Sequence, residues 1–322
     1  MDFDDDARLD TSRVSDVRGR GGWGGGGRGG GFGGGYGRGY GGGYDRGRGR
    51  GMAVGGGGLG LVGLLVALVL GVNPGDLGGG GGTAPDPLGA GPYGDTGVAS
   101  TTELASRCRT GADADRDATC RIVALDNSLT DYWSQAVRGF RPATTQIFGQ
   151  ATSTGCGNAT SAVGPFYCPA DEGIYLDPGF FDELQTTYGA QGGDFAVAYV
   201  LAHEYGHHVQ HLTGANDEAA RLGQQGEQSG SVRLELQADC YAGAWAANAS
   251  RDGFITFDDR DVDEGLSAAA AVGDDRIQER SAGRVDPESW THGSAEQRQR
   301  WFRTGLRSGD PADCDTFDVP TV

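Results

Sequence analysis

The sequence predicts an α+β domain over residues 101–322, preceded by a disordered glycine-rich tail and one transmembrane helix. Three observations carry this expectation. Of the 62 glycines of the 322-residue chain, 38 crowd into residues 19–100, which leaves a compositionally ordinary back half. Within the front part, residues 53–72 form a run of 20 without a charged side chain. Behind it, short β-branched and aromatic stretches broken by Gly, Pro and Asn give way to long segments with helical spacing of apolar residues. Those are the two periodicities of a mixed fold.

Residues 1–51 start acidic, with Asp2, Asp4, Asp5 and Asp6, and continue as Gly with interspersed Arg, Tyr, Phe and Trp. So few bulky apolar groups do not offset the entropy of ordering, so a disordered cytoplasmic tail is expected. Residues 52–72 are expected to span a membrane, since at about 1.5 Å rise per residue the uncharged run crosses a hydrocarbon core of roughly 30 Å. Arg46, Arg48 and Arg50 precede it and only Asp76 follows closely. The positive-inside bias then places the N-terminus in the cytoplasm and everything after residue 73 outside, as a single-pass protein of the cell membrane. A cleaved signal peptide fits less well, because the run begins late and is long. Residues 73–100, rich in Gly and Pro, read as a linker. In the domain, residues 114–136 have helical character, 146–177 read as strands and turns, 174–178 as one short strand, and 179–189 as a helix closed by Gly189.

The formal net charge is −18 with no Lys, and residues 1–50 hold nine Arg against seven Asp, so the acidity lies in the remainder. An acidic domain repels phosphate, which excludes nucleic acid as its expected partner. The tail has the composition of an RNA-binding Arg–Gly segment, but its Arg are sparse and it adjoins the expected span. A flexible tail with an orienting charge is the preferred reading. All six cysteines (Cys108, Cys120, Cys156, Cys168, Cys240 and Cys314) lie after residue 100, and none forms a C-x-x-C pair. Disulfides in an oxidising compartment are therefore expected rather than a cysteine zinc site. Several pairings are open; nearest-neighbour closure joins Cys108 to Cys120 and Cys156 to Cys168, leaving Cys240 with Cys314.

Residues 194–214 read DFAVAYVLAHEYGHHVQHLTG. Asp194 suits a helix N-cap and Gly214 a helix stop. On such a helix His203 and His207 project from one face, one turn apart, and two neutral imidazoles so placed can hold Zn²⁺. Glu204 is expected to act as general base on a metal-bound water. With five His and eleven Glu in the chain, H-E-x-x-H arises by chance only roughly 0.003 times. A catalytic zinc needs a third protein ligand. His211 lies about 12 Å further along the axis than His203, and His208 points about 100° away from His207. Residues 232–250 read as a second helix with Glu235 and Asp239 four apart. Glu235 is the expected third ligand, and Asp239 the acceptor for the free ring N–H of one liganding His. An ordinary solvated acidic face is the opposing reading. For the oxyanion donor that peptide hydrolysis requires, His292 is favoured over Tyr205 and Tyr241.

HEYGHH followed by ELQAD resembles the gluzincin plan, in which a Glu on a later helix completes H-E-x-x-H. The fuller set HEYGHHVQHLTG, RLELQADCYAG and THGSAEQRQRWFRTG resembles the bacterial neutral zinc metallopeptidases of the YpfJ type, over roughly residues 100–322. The resemblance implies a zincin-like fold, one Zn²⁺ per chain held by His203, His207 and Glu235, and a catalytic Glu204. The expected reaction is hydrolysis of peptide bonds in an extracytoplasmic peptide or protein, and the resemblance implies that this substrate lies extended along an edge strand upstream of the metal helix. A non-catalytic, zinc-stabilised extracytoplasmic binding module is the alternative, and it would have no use for a base at Glu204.

Overall fold

The computed structural model describes residues 1–18, 101–251 and 254–322. The expected span at 52–72, the linker at 73–100 and residues 19–51 of the expected tail lie outside the described residues. Among the described residues no helix is long and apolar enough to cross a membrane.

The domain is a mixed α+β structure, as expected, but it does not begin at residue 101. Residues 1–18 were expected to be disordered; instead they contribute β1 (Asp2–Phe3) and β2 (Val14–Asp16). The central sheet has the order β2-β3-β7-β6, with β3 at Thr144–Ile147, β6 at Phe166–Cys168 and β7 at Gly173–Leu176. β2 runs parallel to β3 with Val14 opposite Thr145, β3 runs parallel to β7, and β6 closes the far edge antiparallel to β7. β1 pairs with β8 (Ile255–Thr256). Phe3 and Val14 are buried, which supplies the apolar burial that orders this otherwise polar segment. A single crossing at 52–72, with residues 1–51 inside and the domain outside, would put β2 and β3 on opposite sides of a membrane. In the structure the two strands pair along Val14–Asp16 and Thr145–Ile147.

Helices α1 (Thr101–Arg107), α2 (Gly111–Ala114) and α3 (Ala118–Ala136) lie between β2 and β3 in the chain. A hairpin of β4 (Ala151–Thr154) and β5 (Gly157–Thr160) stands between β3 and β6. α4 (Gly179–Thr186) ends three residues before Gly189, whose φ of +71° turns the chain onward. Next come α5 (Asp194–Thr213), α6 (Ala215–Arg221), α7 (Gly230–Ala249), α8 (Asp259–Ala271), α9 (Asp274–Ala282) and α10 (Ala295–Ser308). Gly214 stops α5 in the left-handed conformation at φ +83°, as the sequence suggested. Asp194 is the first helical residue rather than the cap, and its carboxylate meets Arg121 of α3.

α5 packs on α3, α7 and α8, and α7 packs on α10. The core between them holds Trp133, Trp245, Tyr199, Tyr205, Phe195 and Phe302, all buried. Three disulfides join Cys108 to Cys120, Cys156 to Cys168 and Cys240 to Cys314, the nearest-neighbour closure. They tie α1 to α3, the hairpin to β6, and α7 to the segment after α10.

Candidate active site

Two close helix crossings build the site. Gly206 sits where α5 crosses α7, and a Cβ there would lie 2.9 Å from the Ala238 Cα. On the other side of α7, a Cβ on Gly243 would meet the Phe302 carbonyl oxygen at 2.1 Å, and one on Gly305 the Cys240 oxygen at 1.9 Å. Backbones this close leave room only for glycine. The result is that side chains from α5, α7 and α10 converge within a few ångströms.

His203, Glu204 and His207 of α5 and Glu235 and Asp239 of α7 are all buried. One ligand atom each from His203, His207 and Glu235 lies within 4.8 Å of the others. His203 Nε2 is 3.2 Å from Glu235 Oε2, and His207 Nε2 is 3.5 Å from Glu235 Oε1. The opposite ring nitrogens are engaged. His203 Nδ1 donates to Asp239 Oδ1 at 2.9 Å, and His207 Nδ1 donates to Gln210 Oε1 at 2.9 Å. Gln210 is itself fixed by its amide, which donates to the Leu234 carbonyl at 2.7 Å. With both Nδ1 atoms acting as donors, both Nε2 atoms face the Glu235 carboxylate.

Asp239 is the hub beneath this trio. Besides His203 it accepts from the Tyr199 hydroxyl at 2.5 Å and from Arg298 of α10 through Nε at 2.8 Å and Nη2 at 3.0 Å. Arg298 Nη2 also reaches to 3.7 Å from Glu235 Oε2. Burial works against the charge on Asp239, but Arg298 and His203 outweigh it and hold the carboxyl below its ordinary range.

The remaining charges follow their surroundings. Burial would raise Glu235, yet the imidazoles of His292, His207 and His203 keep it well below the usual carboxylate range. Burial would depress His203, but Asp239 and Glu235 together lift it to about 9. His207 has only a neutral amide at its second nitrogen, and burial takes it down to about 4. Glu204, desolvated and beside Glu235, is pushed up to about 7 despite the attraction of His203. That places it near the range of a general base at neutral pH.

The donor set fits Zn²⁺. Two imidazoles with fixed tautomers and one ionised carboxylate can each approach a single cation to about 2.0–2.2 Å, and one coordination position remains for a reactant. The trio opens into a pocket with apolar walls formed by Val163, Phe180, Tyr188, Val200, Val272 and Ile277. Glu204 and His292 line the same pocket. His292 is held from behind. Thr291 Oγ1 lies 2.9 Å from its Nδ1, and Asp274 Oδ2 accepts the backbone N–H groups of Thr291, His292 and Gly293 at 2.7, 2.6 and 3.1 Å. Nε2 is therefore the nitrogen left for the pocket.

Of the residues singled out in the sequence, His203, Glu204, His207, Glu235, Asp239 and His292 come together. Tyr205 and Tyr241 do not. The Tyr205 hydroxyl donates at 2.7 Å to Asp126 of α3, on the back of α5, and Tyr241 packs edge-on against Trp133. His208 is buried against the Tyr167 hydroxyl and the Arg141 carbonyl, and His211 lies 4.0 Å from Glu172, so neither joins the trio. Sequence reasoning missed Tyr199, Gln210, Asp274 and Arg298. Arg298 had a signal: Ser294 and Gln297 form a capping box that marks the start of α10 at Ala295, three residues before it. Gln210 lies three residues after His207 on the motif helix, within reach of its ring by helical spacing alone.

The chain is similar to other bacterial proteins. A protein of Mycobacterium tuberculosis (strain H37Rv), named as an uncharacterized protein, is 48% identical over 261 residues, which covers 79% of this chain and 85% of the relative. The uncharacterized protein YpfJ of Escherichia coli K12 is 50% identical over 170 residues, 52% of this chain and 58% of its own. No solved structure matches the chain. The model of the family described as "Putative neutral zinc metallopeptidase" matches residues 7–317, and the chain belongs to that family.

Proposed function

We propose that the protein is a zinc-dependent peptidase of zincin-like arrangement, with His203, His207 and Glu235 as metal ligands and Glu204 as general base. The observation that carries this reading is the convergence of those four side chains, all buried, at one end of an apolar-walled pocket. A bound Zn²⁺ would supply Lewis-acid polarisation of the scissile carbonyl and acidify water at the site.

The chain's own groups divide the remaining work. Glu204 takes a proton from the attacking water and passes it to the leaving amine; its pKa near 7 suits both directions of transfer. His292 offers its Nε2–H to the developing oxyanion while Thr291 and Asp274 hold the ring in place. Asp239 and Gln210 fix the two ligand imidazoles, and Arg298 balances the charge of Asp239 and Glu235. Substrate lies along β6, the edge strand next to α5 and antiparallel to its neighbour, whose Tyr167 backbone N–H also acts on Glu204. The apolar walls favour a bulky apolar side chain beside the scissile bond. Attachment to a membrane through residues 52–72, with residues 1–18 and 101–322 on the same side of it, is supported by the uncharged run and the β2–β3 pairing, and an extracytoplasmic site by the three disulfides.

Glu204→Gln tests the proposal. The variant is expected to retain zinc and lose cleavage of a peptide library by about 10²–10⁴-fold. A zinc-loaded wild type that cleaves no member of the library would favour the binding-module reading instead.

A further inference from the structure

The N-terminal segment does more than cover an edge of the sheet. Arg13, just before β2, places its Nε 3.4 Å from Asp126 Oδ2. Asp126 lies on α3 with no exposed surface, and its Oδ1 accepts from the Thr145 hydroxyl at 2.8 Å and from the Tyr205 hydroxyl at 2.7 Å. Arg13 is the cation that the structure places against this buried carboxylate. Tyr205 stands between Glu204 and His207 on α5, and its ring leaves the helix on the side away from the pocket. The Tyr205–Asp126 hydrogen bond therefore ties α5 to α3 on the face opposite His203 and His207.

The rest of the segment is anchored at many points. The Thr145 N–H donates to the Arg13 carbonyl at 2.9 Å and the Val17 N–H to the Ile147 carbonyl at 2.9 Å. Asp10 exchanges two hydrogen bonds with Asn127 of α3, at 2.7 and 2.8 Å. Gly111 accepts the chain so closely that a Cβ there would meet the Asp4 carbonyl oxygen at 2.0 Å. This is a built docking track for residues 1–18, and it ends beneath the helix that carries the metal site.

We propose that residues 1–18 are a positioning element of the site, acting through Arg13, Asp126 and Tyr205, and that they share one side of any membrane with residues 101–322. The proposal rests on the metal-site reading above, and its tests read zinc affinity and sidedness rather than peptide cleavage. Loss of cleavage in the wild type would end the peptidase reading and leave these measurements intact.

In the full chain, Arg13→Met keeps the apolar stem and removes the charge, leaving Asp126 buried without its cation. Zinc affinity is expected to fall about tenfold, the size of a coupling within one hydrogen-bond network. Arg13→Lys is expected to keep most of it. Asp126→Asn in the Arg13→Met background removes the unbalanced charge, keeps an acceptor for Tyr205, and is expected to restore affinity toward wild type. This double variant also covers the case in which Arg13→Met alone folds poorly. Wild-type zinc affinity in Arg13→Met, or no recovery in the double variant, overturns the positioning role.

Sidedness is read on intact cells with a membrane-impermeant maleimide against Ser12→Cys and Ser281→Cys, two exposed positions, made singly. Equal labelling or equal protection of both is expected. Labelling of one and protection of the other overturns the shared compartment.

Discussion

At the scale of the residue, the site works by opposing burial with charge. Asp239 is ionised without solvent exposure because four donors converge on it, and through it the His203 tautomer is fixed. Asp239→Asn would remove the charge that orients this imidazole and is expected to weaken zinc binding by about 10–100-fold, measured by competition with a chromogenic chelator. His203 and His207 also differ in a way that a proton count can read. Without metal His203 titrates at about 9 and His207 at about 4, while Glu235 stays ionised. At pH 7 a cation must therefore displace one proton, that of His203. Zinc affinity should rise about tenfold per pH unit between 6 and 8 and level off above the His203 pKa. Calorimetric titration in buffers of different ionisation enthalpy checks the count; release of no proton would contradict the assignment of His203.

At the scale of the element, the decisive feature is how closely the helices meet. Gly206 occupies the second x of H-E-x-x-H, and its missing side chain lets Ala238 of α7 touch α5. Gly206→Val would force the two helices apart and carry Glu235 and Asp239 away from the imidazoles. The expected outcome is a loss of stability of about 1–3 kcal/mol in urea unfolding together with loss of zinc binding. A variant that kept full zinc affinity would show that the crossing does not set the site. The motif helices themselves were legible in the sequence, because apolar spacing, a Gly stop and two pairs of functional residues four apart all agree. The three disulfides also matched the pairing with the shortest loops. What was not legible was contributed by elements distant in sequence. Arg298 reaches Asp239 from α10, and Asp274 gathers three backbone N–H groups of the loop that carries His292.

At the scale of the whole molecule, the largest departure from expectation is the N-terminal segment. Residues 1–18 look like a polar tail because β1 and β2 are two and three residues long, too short to show a period. Their partners lie far along the chain, at residues 145–147 and 255–256, so nothing local announces the pairing. The expected membrane topology was drawn from flanking Arg residues alone and took no account of that pairing. The active-site reading did not, since it rests on helices whose relative placement is secured by packing around Tyr199, Tyr205, Trp245 and Phe302.

The central claim is that two imidazoles of α5 and one carboxylate of α7 hold a single zinc ion. The most direct test is a zinc titration of the chelator-stripped full chain and of Glu235→Ala. The account expects one site per chain in the wild type and an affinity lowered by more than about a hundredfold in the variant, beyond what loss of an outer partner costs. Equal affinity in the two proteins would contradict it.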